Sequence, residues 1–160
     1  MDKVVKQNYA WTKDDEKMML EYVQDCDDKG IYFASGSVCT FVPFSKNVGA
    51  KLYRYSDLRS DALVNQMVAY NHGLAPKCGT PFEIYFNDRE WYGYLTDIAE
   101  EMTSRDWEDC EHEVASQYAE KGFTFTDWHI TNVGTVNGKR VVIDFDGRYF
   151  KCGDNTIQIS

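Results

Sequence analysis

The sequence predicts an α+β fold, on three observations. Runs with apolar residues at helical spacing give way to short β-branched and aromatic runs and back again. Gly, Pro or an Asn/Asp cluster marks most of the changes. Near the carboxyl end, two apolar runs flank Asn137-Gly138, a strong type I′ hairpin signal. In chain order, Thr12 followed by Asp15 and Glu16 reads as a helix start, with Met18, Met19, Tyr22 and Val23 as the apolar stripe and Gly30 as the end. A strand-rich stretch follows: Ile31 to Phe33, Val38 to Phe44 and Val48 to Tyr55, punctuated by Gly36, Pro43 and Gly49. Ser56-Asp57 opens a second helix, with Leu63, Met67 and Tyr70 at helical spacing, and His72-Gly73 closes it. Strands at Phe82 to Phe86 and Trp91 to Leu95 are joined by the polar turn Asn87-Asp88-Arg89-Glu90. A third helix occupies about Ser104 to Lys121, burying Trp107, Val114 and Tyr118, and Gly122 closes it. Val133 to Val136 and Arg140 to Ile143 form the hairpin.

A chain of 160 residues suffices for one compact domain or two small lobes sharing a cleft. Its hydrophobic fraction of 43%, with 15% aromatics, supplies a packed core, so disorder is not expected. The formal net charge of −9 repels phosphate backbones and argues against nucleic-acid binding through a basic face. Cys26, Cys39, Cys78, Cys110 and Cys152 are scattered, odd in number and without a C-x-x-C pair, which points to a reducing cytosol rather than a disulfide scaffold. Cys110 and His112 fall on different faces of a helix, which argues against zinc. The amino terminus carries charges throughout, and no apolar run approaches a membrane span, so a cytoplasmic protein without membrane contact is expected.

The chemistry gathers at Asp127-Trp128-His129-Ile130-Thr131-Asn132, the hairpin, and Val141-Val142-Ile143-Asp144-Phe145-Asp146-Gly147. Phosphoryl transfer needs a carboxylate to orient the attacking hydroxyl, oxygen ligands for magnesium and a cation on the non-transferred phosphates. Two acids ending an apolar strand place charge where packing would prefer none. The form D-x-H-x-x-N…V-I-D-F-D resembles the protein-kinase-like phosphotransferases, in the variant of aminoglycoside phosphotransferases, lipopolysaccharide kinases and RIO-type kinases. The resemblance implies Asp127 as catalytic carboxylate, Asn132 and Asp144 as Mg2+ ligands, with Asp146 assisting, and ATP as the phosphoryl donor. Upstream, Val48-Gly49-Ala50-Lys51-Leu52 resembles the lysine-bearing strand, so Lys51 would contact the α/β-phosphates. Ser35 to Val42 resembles a degenerate phosphate loop, implying nucleotide contacts at Gly36 and Ser37. The helix after Lys51 offers no Glu to pair with it. Gln66 is the best match by register, and Asp61 is the alternative if the register shifts. Trp91 to Ile98 resembles the fifth strand and hinge, so backbone groups of Thr96, Asp97 and Ile98 would meet the adenine. His129 is expected to be a structural hydrogen-bonding residue.

The resemblance implies a two-lobed kinase-like fold, with an N-lobe at about 1–97 and a minimal C-lobe at about 98–160, truncated just past the metal segment. Such compact forms occur among bacterial secretion effectors and phages, which would put the protein in a host cytosol. They often rely on a partner, so a protein partner or self-association at the truncated C-lobe is expected. The function implied is an ATP- and Mg2+-dependent phosphotransferase acting on a protein Ser/Thr hydroxyl. The alternative is a pseudokinase-type module that docks on a partner without catalysis.

Overall fold

The computed structural model describes residues 10–30, 39–44 and 47–155. The fold is α+β, with strands β1 (Cys39–Pro43), β2 (Val48–Tyr53), β3 (Cys78–Phe86) and β4 (Arg89–Asp97) forming an antiparallel sheet in the order β1-β2-β4-β3. Helix α1 (Lys13–Asp28) precedes this sheet, and α2 (Ser56–Asn71) links β2 to β3. The remainder comprises β5 (Glu100–Glu101), α3 (Ser104–Glu120), β6 (Thr124–Phe125), a 3-10 turn at Ile130–Asn132, β7 (Val133–Val136), β8 (Lys139–Val142) and β9 (Phe150–Lys151). β5, β7 and β8 make one small antiparallel sheet, and β6 pairs with β9. Among the described residues, no helix is long and apolar enough to cross a membrane.

Period-2 alternation sorts the large sheet into two faces. Val48, Ala50 and Leu52 of β2 share a core with Trp91 and Leu95 of β4 and with Met19 and Val23 of α1. Tyr53 and Tyr94 point the other way and pack on Ala62 and Leu63 of α2. Lys51 lies on this α2 face by parity alone, one residue from Ala50 and two from Tyr53. Gly93 admits the ring of Phe82: a Cβ there would lie 2.4 Å from Phe82 Cζ and 2.8 Å from the Lys51 carbonyl oxygen.

α1 begins where the sequence places it, with Thr12 and Asp15 exchanging capping-box hydrogen bonds. Its buried stripe differs from the expected one. Asp15, Met19, Val23 and Cys26 face inward, whereas Met18 and Tyr22 are exposed. With the capping Asp15 turned inward, Met19 and Val23 meet the sheet and Cys26 is buried on the same side. The β3–β4 turn is also tighter than read. Asn87 and Asp88 both take positive φ (53° and 56°), completing a two-residue turn and releasing Arg89 and Glu90 into β4. Asn137-Gly138 forms the hairpin turn as expected, with φ of 51° and 80°. The short strands β5, β6 and β9 were not foreseen, and the expected strand at Ile31 to Phe33 lies outside the described residues.

A further core joins the end of α2 (Val68, Ala69) to α3, Phe123, Phe125, Val142, Phe145 and Phe150. Tyr118 of α3 sits inside it, only 1% exposed. Its hydroxyl donates to the Leu74 carbonyl and accepts from Val142 N–H at 2.7 Å, so one oxygen joins the exit of α2 to β8. Tyr118→Phe leaves both backbone groups without that partner, which costs about 1–3 kcal/mol. Urea unfolding should show a lower midpoint at unchanged m-value, and an unaltered midpoint would contradict the bridging role.

Candidate functional site

Three segments remote in sequence meet beneath the large sheet. The Lys51 side chain is 8% exposed, and its ammonium donates to Gln66 Oε1 at 3.1 Å and to the Ile143 carbonyl at 2.5 Å. It also lies over the rings of Tyr94 and Phe145, 5.5 and 5.3 Å from their centroids. An ammonium has three donors, so two carbonyl oxygens leave one N–H. Burial lowers the Lys51 pKa from its ordinary value, opposed by fields that include that of Asp144. Burial pushes the nearby thiols of Cys39 and Cys78 up to about 11 and about 12, so they stay neutral and give Lys51 no counter-charge near pH 7.

The expected catalytic loop is ordered by its own polar groups. Asn132 Nδ2 donates to the Asp127 carbonyl at 3.0 Å and to its carboxylate Oδ2 at 2.9 Å. His129 Nδ1 accepts from Thr131 N–H at 3.2 Å and lies 2.9 Å from the Thr131 hydroxyl, capping the 3-10 turn. That nitrogen is therefore spent on the local turn, in keeping with a structural histidine. Ile143 N–H donates to the Asn132 carbonyl at 2.9 Å, and Val133 pairs with Val142. The hairpin thus lays Asn132 beside the strand that runs into Asp144. Because Nδ2 is committed to Asp127, the atom Asn132 has left for a cation is Oδ1, a hard oxygen.

Asp144 and Asp146 have different surroundings. Asp144 Oδ1 accepts from Asp146 N–H at 3.1 Å. Asp146 is buried and paired bidentately with Arg148, at 2.7 Å between Nη2 and Oδ2 and 3.1 Å between Nε and Oδ1. It also accepts from Arg148 N–H at 2.9 Å. This pairing occupies the carboxylate that the sequence offered as an assisting metal group. Among the described residues, no three His, Cys, Asp or Glu side chains gather as a metal set. Asn132 and Asp144 would supply only two protein oxygens, a donor set that suits Mg2+, which takes the rest of its octahedron from phosphate and water.

At the helix, Gln66 rather than Asp61 reaches Lys51. Asp61 lies instead beside Gly147, where a Cβ on the glycine would come within 3.2 Å of Asp61 Cβ. Thr96 is buried at the end of β4 and accepts from Gln66 Nε2 at 2.8 Å. The next two amides are already used: Asp97 N–H donates to the Lys77 carbonyl and Ile98 N–H to the Asn47 carbonyl, both at 2.8 Å. A base seated here would take its contacts from other groups of this segment. A cavity of about 310 Å³ opens beside it, lined by Asn47, Val48, Asp97, Ile98, Thr135 and Val136 among others. Lys51, Asp127, Asn132 and Asp144 are not in its lining. Gly36 and Ser37 lie outside the described residues.

Sequence reasoning missed Asn65. Its Nδ2 donates to the carbonyls of Phe145 (3.0 Å) and Phe150 (3.2 Å), tying α2 to the chain after Asp144. It also missed the Arg148 partner of Asp146. An Asn in mid-helix, where its short polar side chain is out of place, is the one signal that could have drawn attention. No family model matches the chain, and no curated protein or solved structure matches it.

Burial alone would raise the Asp146 pKa. Hydrogen bonds from Arg148 outweigh it and hold the carboxyl below the usual range. A carboxylate depressed in the folded state adds stability that is present above its unfolded pKa and is lost as pH falls through the folded one. Asp146→Asn should therefore melt below wild type at neutral pH, with the gap closing below about pH 4. Melting curves from neutral to acid pH check this, and a gap independent of pH would contradict it.

Proposed function

We propose that this chain is a kinase-like, ATP- and Mg2+-dependent phosphotransferase acting on a protein Ser/Thr hydroxyl. The observation that carries the reading is the convergence at the Ile143–Asp144 strand end. Lys51 arrives there from the sheet, and Asn132, held on Asp127, arrives from the preceding loop. Those are the residue types that phosphoryl transfer uses as phosphate cation, metal ligands and hydroxyl-orienting carboxylate. In this reading residues up to about 97 form the N-lobe, the rest form a minimal C-lobe, and the cavity beside Asp97 and Ile98 receives the base.

Each residue then has a role. Lys51 Nζ, with one donor unspent, binds the non-transferred phosphates. Asn132 Oδ1 and the Asp144 carboxylate would hold the metal, which would neutralise charge on the phosphates. The Asp127 carboxylate orients the attacking hydroxyl and accepts its proton, and Asn132 Nδ2 fixes the carboxylate for that task. Catalysis in this scheme is mostly positioning and electrostatics. A partner protein or second copy at the C-terminal part belongs to the same proposal. The exposed large apolar side chains nevertheless fall mainly on α1, the sheet and α2.

A second reading, a module that binds a partner without transferring phosphate, is favoured by two features. The amides of Asp97 and Ile98 are internally bonded, and Lys51 is already held by Ile143 and Gln66. A thermal-shift titration with ATP and Mg2+ separates the two, because ligand binding to the folded state raises its stability. The expected result is a saturable, Mg2+-dependent rise in melting temperature and a metal-dependent ATPase or autophosphorylation activity. Asp144→Ala should abolish the activity, and activity surviving that change would remove Asp144 from the metal site. No shift at millimolar nucleotide would favour the binding module.

A further inference from the structure

Gln66 is fully buried, and its amide is saturated. Oε1 accepts from Lys51 Nζ at 3.1 Å and from the Tyr94 hydroxyl at 2.8 Å. Nε2 donates to the Pro76 carbonyl at 3.0 Å and to Thr96 Oγ1 at 2.8 Å. A primary amide has two N–H donors and two acceptor lone pairs, and here all four are used. The partners come from separate places: β2, the middle and the end of β4, and the passage from α2 into β3. The adjacent Asn65 ties the same helix to the carbonyls of Phe145 and Phe150.

A glutamate of the same shape could accept from Lys51 and Tyr94. It would have no proton for Pro76, whose carbonyl oxygen would face a carboxylate oxygen at hydrogen-bond distance inside a buried site. The Thr96 hydroxyl now lies 3.3 Å from the carbonyls of Lys77 and Asp97, so donating to a carboxylate would draw it away from both. The groups facing Gln66 that can titrate are Lys51 and Tyr94 in contact. Around Lys51 stand Cys39 and Cys78, and the field of Asp144 reaches it. Tyr53 adjoins Tyr94.

We infer that Gln66 is a positioning residue for which only an amide serves: it holds Lys51, Thr96 and the entry to β3 on one helix, and so keeps the site assembled without the lysine–glutamate ion pair of the kinase pattern. The site-assembly half of this inference rests on the nucleotide reading proposed above, whereas the amide requirement rests on the hydrogen bonds alone.

The test is Gln66→Glu, melted at several pH values beside wild type and Gln66→Met. With Pro76 and Thr96 demanding a donor, the new carboxyl keeps its proton in the folded state to a higher pH than the unfolded value of about 4.3. The variant then loses stability relative to wild type as pH rises from about 5 to about 8. A vacated glutamate position gives the opposite slope. There the new carboxylate pairs with Lys51, its pKa falls, and the variant equals or exceeds wild type at about pH 8 and weakens in acid. That slope would overturn the inference. Gln66→Met, with neither donor nor strong acceptor, should melt below wild type at every pH, and a methionine variant as stable as wild type overturns it whatever the glutamate variant does. The second readout is Mg·ATP affinity at about pH 8, where Gln66→Glu should bind roughly tenfold or more weakly, about the loss of one hydrogen-bonded contact. Unchanged or tighter binding counts against the positioning role. A wild-type protein that binds no Mg·ATP sinks the nucleotide reading and the site-assembly half with it, while the stability slope still decides the amide requirement.

Discussion

The contact between the Lys51 ammonium and the Ile143 carbonyl, backed by the Gln66 amide, is the point on which the rest of the molecule turns. It carries a charged side chain from the middle of the large sheet to the end of a strand 92 positions further along the chain. An ammonium buried to this degree is costly unless oxygen atoms and polarisable rings replace its water. Two carbonyl oxygens do so directly, and the faces of Tyr94 and Phe145 add to them. The carboxylate of Asp144 acts on it through space rather than as a contact pair. The Lys51 ammonium is thus surrounded by dipoles and ring faces in place of water.

Around that contact α2 and its exit are fastened to β8 and the segment after it by single side chains placed where backbones converge. Asn65 fixes α2 to Phe145 and Phe150, and Tyr118 fixes the exit of α2 to β8. Both are satisfied on donor and acceptor sides, since Asn65 Oδ1 also accepts from the Cys152 thiol at 3.2 Å. Aromatic packing of Tyr118, Phe123, Phe145 and Phe150 surrounds these polar joints with apolar surface. Excluding water strengthens each bond and makes the loss of any one more expensive. Asn132 ends the 3-10 turn, and Asp127 and Asp144 lie in the short irregular segments just before that turn and just after β8.

Much of this was legible in the sequence wherever the signal is local. Asn137-Gly138 announces its hairpin because both residues tolerate positive φ, and Thr12 with Asp15 announces a capped helix. Gln66 was identifiable as the partner of Lys51 only through the kinase resemblance, which implies a pairing residue on the helix after the lysine and left Asp61 as the alternative. The folded chain brings Gln66 to the ammonium. Of the expected α1 stripe Met19 and Val23 are buried, whereas Met18 and Tyr22, which fit the same i, i+4 spacing one position earlier, are exposed. The buried, capped Asp15 marks the inward side. The two-residue strands β5, β6 and β9 are too short to show any period. The bridging hydrogen bonds of Asn65, Tyr118 and Arg148 were missed for a different reason, although Tyr118 was expected to be buried. Their importance lies in partners fixed only by the folded chain, and no spacing rule reports a bond from Asn65 to Phe150.

In the proposed function Lys51, Asn132 and Asp144 act on one ligand. The most direct measurement is an experimental structure of the protein with Mg2+ and a non-hydrolysable ATP analogue. The predicted result is a base in the cavity beside Asp97 and Ile98, phosphate oxygens within hydrogen-bond distance of Lys51 Nζ, and a metal ion on Asn132 Oδ1 and the Asp144 carboxylate. A nucleotide bound elsewhere, or a cleft without one while Lys51 stays on Ile143 and Gln66, would contradict it.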